Sequence, residues 1–390
     1  MDTKPELIIF SHKITTGIYS FYHNLLRSNA REKFDTTVIF HDNDSWTDSK
    51  AESTYNLCKE IIFEFKESHH LTAYEMASEL DKFISNKKGA IVTNFITEMI
   101  ALHIHPKEDK TIYFICHDEN HFKIAIKYNF LIDVFIAHNP IFCDKYIMEF
   151  PDKINRTFYL PYGIELVGKQ RKTNLDRPLN IVWLARLMHH KGIHHIPLID
   201  KILKENKVFV NWTIIGDGPE KKSLLKNVSS CNNFSFFTPK NFEAVSDLLE
   251  QQDIYILPSL LDGLPVAMIE AMSVGCVPVI SEFNGGIKKI ITSDIGFVLP
   301  VNDNMSFVNT IIKIHLDRDL LEKLSDAARR KIHLEYDAQI QSRKYFDLFA
   351  RYEEFRSHNI FPQPKYRWKY LGKIVSPRVR GRIMKLFWKK

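Results

Sequence analysis

Two successive α/β domains, each a Rossmann-like doubly wound parallel sheet, are what this sequence predicts, on three observations. Short apolar runs rich in β-branched residues alternate with helical stretches along nearly the whole chain. The alternation restarts after a polar, charged stretch at 166–178, LVGKQRKTNLDRP, which is closed by a proline and reads as a linker. The length of 390 residues also exceeds what one hydrophobic core usually organises, domains of about 100–150 residues being the commonest.

The first series of strands is ELIIF (6–10), TTVIF (36–40), AIVTN (90–94), IYFIC (112–116), VFIAH (134–138) and TFYLP (157–161), each ending in polar or small residues. The second is NIVWLA (180–185), NWTIIG (211–216), FSFF (234–237), IYIL (254–257), VPVI (277–280) and GFVLP (296–300). From about 303 to 356 the pattern is mostly helical. The expected organisation is a first domain at 1–165, the linker at 166–178, a second domain at 179–350 and a helical, basic and aromatic tail at 351–390. Two such domains in succession would place a cleft between two sets of strand carboxyl ends, where doubly wound folds hold ligands.

Composition narrows the class. With 45% hydrophobic and 26% charged residues the chain is globular, and disordered, fibrous and coiled-coil readings are excluded. It has no run of about 18 apolar residues, and its start, MDTKPELIIF, lacks a secretory leader, so the expectation is a protein neither secreted nor spanning. Five scattered cysteines without a CxxC pair fit a reducing cytoplasm, where the sequons at Asn155 and Asn211 stay unmodified. Residues 365–390 hold ten Lys and Arg and no acid, which leaves the rest of the chain at −4. There the cations alternate with Tyr366, Trp368, Tyr370, Ile374, Ile383, Leu386, Phe387 and Trp388, a mixture suited to an anionic membrane surface. A solvated basic end and nucleic-acid binding are the alternatives, and the acidic body offers no basic channel for the latter.

A nicotinamide-type GxGxxG is absent after the first strand, where SHKITTGIYS carries the single Gly17, and so is a P-loop. Gly17 opens a helix, where a backbone can approach a ligand. The densest chemical signal is LPSLLDGLPVAMIEAMSVGCVPVI (257–280). A strand runs into a loop with Asp262 and Gly263, a helix starts near Leu264 and Pro265 and carries Glu270, and Gly275 stops it. Helix-start amides prepare an anion site, and a carboxylate one turn on can accept from vicinal hydroxyls such as those of ribose.

This segment resembles the Glu-x7-Glu region of the retaining, nucleotide-sugar-dependent glycosyltransferases of family GT4, which have the GT-B fold of two Rossmann-like domains facing across a cleft. Asp262 stands at the first acidic position, one methylene shorter, and Glu270 at the second. IVWLARLMHHKG (181–192) is similar to the strand, Arg-Leu and Lys-Gly segment of that family, which implies that Arg186 and Lys191 bind the donor diphosphate. IIGDGP (214–219) is similar to its Gly-x-Gly-Pro turn, implying Gly216 and Gly218 at the donor. FFTPK (236–240) stands where, in that family, backbone meets a nucleobase edge, which implies Thr238 at the donor. NGG (284–286) resembles the later glycine pair, with Lys288 and Lys289 where an acid is usual. Cys116-His117-Asp118 resembles the strand-end His-Asp, and PYGI (161–164) the turn before the linker.

The resemblance implies retaining sugar transfer from a UDP- or GDP-linked donor to a glycan or glycolipid acceptor, and the basic aromatic tail points to a lipid-linked acceptor of bacterial surface polysaccharide, such as an O-antigen, capsule or lipopolysaccharide intermediate. Glu270 would hold the ribose hydroxyls. Gly263, Leu264 and Pro265 would line the sugar with Asp262, which with His117 forms the catalytic pair; His12 and Lys13 are further candidates. No cofactor or metal is implied, and no Asp-x-Asp is present. The histidines at 189, 190, 194 and 195 include an i,i+4 pair but no adjacent acid or cysteine to complete a metal site. The tail would hold the enzyme peripherally on the inner face of the cytoplasmic membrane. Rival readings are another GT-B chemistry, such as an epimerase or phosphorylase, and an inactive scaffold.

Overall fold

The computed structural model describes residues 4–14, 17–43, 51, 54–65, 72–166, 168–172, 177–238, 242–283 and 286–357. The basic tail at 365–390 lies outside them. The chain divides into two compact units, the first formed by residues up to 138, 142–163 and from 339 on, the second by 139–141 and 164–338.

The first unit holds a parallel sheet of β1 (Glu6–His12), β2 (Asp35–Asn43), β3 (Lys59–Phe65), β4 (Gly89–Thr93), β5 (Lys110–Cys116), β6 (Val134–Ala137) and β7 (Thr157–Tyr159), in the order β3-β2-β1-β4-β5-β6-β7. Leu7, Ile8, Ile9 and Phe10 of β1 are all buried, as a strand covered on both faces requires. Its helices are α1 (Gly17–Leu26), α2 (Ala73–Asp81), α3 (Ile96–Ile104), α4 (Glu119–Lys127) and α5 (Pro140–Glu149). β3 departs from the expectation, which had no strand there. Lys59, Glu60 and Glu64 interrupt its apolar pattern because it is an edge strand, exposed on one side.

The second unit holds β8 (Leu179–Leu184), β9 (Val210–Ile215), β10 (Phe234–Phe237), β11 (Ile254–Leu257), β12 (Val277–Ser281) and β13 (Phe297–Leu299), parallel and ordered β10-β9-β8-β11-β12-β13. Its helices are α6 (Ile196–Glu205), α7 (Lys221–Asn227), α8 (Phe242–Leu249), α9 (Val266–Val274), α10 (Ile287–Ile290), α11 (Asn304–Leu316) and α12 (Arg318–Glu335). In each sheet the strand order reverses once, between β1 and β4 and between β8 and β11. These are the points at which open α/β sheets accept ligands.

Two expected boundaries shift. The second domain was expected to run to 350, but α13 (Ala338–Ala350) and α14 (Tyr352–Phe355) complete the first unit. Tyr113 Oη donates to Leu348 O at 3.0 Å, Thr111 Oγ1 donates to Tyr352 O at 2.5 Å, and Tyr345 Oη donates to Leu160 O at 2.8 Å. The described part of the expected linker packs into the second unit. Arg171, only 5% exposed, donates to Asp253 (2.8 Å), Ser325 Oγ (3.1 Å) and Glu322, and its N–H donates to Val274 O.

Candidate functional site

In the second unit the loops leaving β8 and β11 flank the point of strand reversal. After β8, Arg186 is exposed, and among the described residues no acid pairs with it. The backbone then tightens into a 3-10 turn at His189–Lys191 that ends on Gly192 with φ 77°. A side chain at Gly192 would place its Cβ 1.8 Å from Pro258 O, so only glycine lets the two loops approach this closely. His190 O accepts from Leu260 N (2.8 Å) and from Ser259 Oγ (2.9 Å), which fixes one loop on the other.

This arrangement brings together two residues that stand 71 positions apart. Lys191 Nζ lies 2.5 Å from Asp262 Oδ2, with the two side chains 20% and 13% exposed. Asp262 Oδ1 accepts from Gly263 N at 2.9 Å. The β9 loop closes on the same side. Gly216 (φ 139°) would drive a Cβ to 2.1 Å from Ala185 O, Gly218 lies over Leu187 O, and Leu187 N donates to Asp217 O at 2.8 Å. Thr238 is exposed at the end of β10. Pro239, Lys240, Asn284 and Gly285 lie outside the described residues, and Lys288 pairs with Glu282 at 2.5 Å.

Helix α9 begins after Leu264 and Pro265, both buried, without a side-chain cap, so its first amides remain available. Gly275 ends it at φ 105°. Glu270 is half-buried on this helix. Burial pushes its carboxyl up to about 7. Tyr255 is buried and donates its hydroxyl to Leu184 O at 3.3 Å; burial first, and then the charges of Asp262 and Glu270, push that hydroxyl well above its ordinary value.

In the first unit His117 follows β5 and is 4% exposed. Asn94 Nδ2 lies 3.1 Å from its Nε2 and Tyr162 Oη 3.0 Å from its Nδ1, so both ring nitrogens are engaged. Burial, with His138 and His121 nearby, holds its pKa well below the ordinary value and keeps it neutral. Asp118 caps α4 through Asn120 N and His121 N and pairs with His121 Nδ1 at 2.8 Å. His12 stacks on Phe95 at 3.6 Å, and Lys13 lies 3.8 Å from Asp42. Gly17 is exposed at the start of α1. Sequence reasoning missed Asn94, His138 and Tyr162. The available signal was positional, since Asn94 and His138 immediately follow a strand end.

The histidines beyond β8 stack on one another, His189 on His194 at 4.1 Å. Among the described residues no group of three or more His, Cys, Asp or Glu is placed to hold a metal ion.

Residues 169–331 match the family model of glycosyl transferases group 1. The amylovoran biosynthesis glycosyltransferase AmsK of Erwinia amylovora is 29% identical over 189 residues, 45% of this chain and 46% of that protein. An Escherichia coli UDP-Gal:alpha-D-GlcNAc-diphosphoundecaprenol alpha-1,3-galactosyltransferase is 30% identical over 139 residues, 35% of this chain and 34% of its own length. The chain thus spans less than half the length of either relative. The structure of Anabaena HepE in complex with UDP and glucose superposes with a TM-score of 0.70 at 13% identity, covering 89% of this chain and 99% of that one. The fold is the GT-B class.

Proposed function

We propose, from the place of residues 169–331 among the group 1 glycosyl transferases, that this protein transfers a sugar from a UDP- or GDP-linked donor to a glycan or lipid-linked acceptor in the synthesis of a bacterial surface polysaccharide. The observation that carries the reading is the meeting of Lys191 and Asp262 at the β8/β11 reversal, with Arg186 on the same loop and Glu270 on α9.

Each group has a task set by its chemistry. As the glycosidic bond to the diphosphate breaks, negative charge grows on the leaving phosphate. Arg186, Lys191 and the first amides of α9 are fixed positive groups that stabilise this charge most at the transition state, without a metal. Glu270, when ionised, accepts from the ribose hydroxyls. Asp262, with the backbone of Gly263 and Leu264, receives the sugar hydroxyls, and Thr238 lies at the nucleobase. Retention follows if the acceptor attacks from the face the diphosphate leaves. His117 enters this account as a neutral residue of the acceptor-binding unit.

The relatives support the acceptor class. One is named for amylovoran biosynthesis, another for a diphosphoundecaprenol-linked substrate. Among the described residues no helix is long and apolar enough to cross a membrane. The protein reaches a lipid-linked acceptor through residues 365–390, from the inner face of the cytoplasmic membrane.

Two experiments test this. Incubating the full chain with labelled UDP- and GDP-sugars and a diphospholipid-linked sugar is expected to give a lipid product that keeps the donor's anomeric configuration by NMR. A product of opposite configuration removes the retaining assignment, and sugar turnover without transfer to any acceptor removes the transferase reading. Deleting 365–390 is expected to leave the melting temperature unchanged and to abolish sedimentation with anionic vesicles. Unchanged sedimentation removes the membrane role of the tail.

A further inference from the structure

The pair formed by Lys191 and Asp262 joins a group assigned to the diphosphate with a group assigned to the sugar. We propose that the two are exchangeable: the diphosphate of the donor takes Lys191 from Asp262, and the carboxylate so released becomes the group that distinguishes one sugar from another. This rests on the donor reading above and adds a coupling to it. Sugar recognition becomes available only once a diphosphate is in place.

The geometry supports exchange. The two side chains are 20% and 13% exposed, so the contact is shielded enough to be held yet open enough for a ligand to reach. Only one carboxylate oxygen is committed to the lysine. Oδ2 faces Lys191 Nζ, whereas Oδ1 is anchored by the Gly263 N–H at 2.9 Å, so Oδ2 can change partner while the loop stays where it is. An arriving phosphate oxygen competes for the same ammonium, and two anions at such separation repel unless one turns away.

The neighbouring groups favour phosphate as the winner. Arg186, on the same loop, is exposed and unpaired among the described residues, and supplies a second cation that Asp262 does not use. The uncapped start of α9, four residues after Asp262, adds amides. A free sugar, by contrast, meets a carboxylate already engaged by Lys191.

Calorimetry on the full chain tests the exchange with pyrophosphate, UDP, GDP, UDP-galactose, UDP-glucose, UDP-N-acetylglucosamine and GDP-mannose. Asp262→Asn is expected to bind pyrophosphate and UDP about three- to tenfold more tightly than the wild type, because Lys191 is no longer neutralised. The same variant is expected to lose whatever affinity the preferred UDP-sugar gains over UDP. Asp262→Ser, which removes the charge by another route, is expected to give the same sign where the amide disturbs the loop. In Lys191→Met, UDP affinity is expected to fall about tenfold, and adding Asp262→Asn to it no longer tightens binding.

Weaker pyrophosphate and UDP binding in both Asp262 variants overturns the proposal, since the carboxylate would then only hold Lys191 in place. A sugar preference that survives in both variants overturns it as well. If pyrophosphate follows the expected pattern but no UDP or GDP conjugate binds the wild type, the exchange stands and the donor reading falls. If nothing binds, pyrophosphate included, both fall.

Discussion

Replacing Glu270 by glutamine is expected to stabilise the unliganded protein above pH 7 and to remove most of its donor binding. The carboxyl is pushed up to about 7 by burial. Its ordinary value, as in the unfolded chain, is about 4.3. Between these two values the unfolded chain gives up its proton and the folded one keeps it, so the group opposes folding more strongly as pH rises, and the cost levels off above 7. Allowing for the water that still reaches the side chain, the full cost is about 1–3 kcal/mol. Denaturant unfolding of wild type and Glu270→Gln is therefore expected to show no difference near pH 4.5 and a gain of that size for the variant at pH 8. A difference independent of pH would refute this account. Donor binding moves the other way. Ribose hydroxyls call for the ionised carboxylate, so wild-type affinity for UDP is expected to be higher at pH 8 than at pH 6, with a proton released on binding. Glu270→Gln is expected to lose about tenfold or more at pH 8, since it removes a charged acceptor.

Removing the carboxylate of Asp253 is expected to cost about 3–5 kcal/mol of stability, the largest loss from any single change considered. Asp253 is 1% exposed and accepts from Arg171 (2.8 Å), from both terminal nitrogens of Arg177 (2.6 and 3.0 Å) and from Asn180 N (2.8 Å). Asp253→Ala leaves Arg171 buried with Glu322 as its remaining acid and strands the Asn180 amide. Chemical denaturation followed by tryptophan fluorescence measures the loss, because Trp183 and Trp212 are buried in the same unit. A change below about 1 kcal/mol would show that the remaining groups reorganise around the gap.

The central strands, such as β1, β4, β5, β11 and β12, were legible because they are buried on both faces and therefore spell themselves as nearly unbroken apolar runs. β3 was not, since an exposed edge strand tolerates Lys59, Glu60 and Glu64. The candidate site was legible where its residues lie close in sequence: Asp262 and Glu270 fall on one loop and the helix that follows it, and Gly192 sits where backbone meets backbone. What tertiary packing decides was not. Nothing local to residue 191 or 262 announces that their side chains touch, and Arg171 reads as a linker cation although its acids lie 82 and 151 positions further on. The burial of His117 among Asn94, Tyr162 and His138 also depends on strand order, which residue patterns leave open.

The return of α13 and α14 to the first unit bears on how the protein is made. Synthesis runs from the amino terminus, and domains generally fold as they emerge. Here the first unit cannot finish when its last strand, β7, leaves the ribosome. Tyr113, Thr111 and Leu160 wait for partners encoded 235, 241 and 185 residues later. The second unit, contiguous from 164 to 338 apart from three residues, is complete before the first one is. A nascent chain stopped near residue 338 therefore carries a finished carboxy-terminal unit beside an unfinished amino-terminal one, an order of maturation opposite to the order of translation.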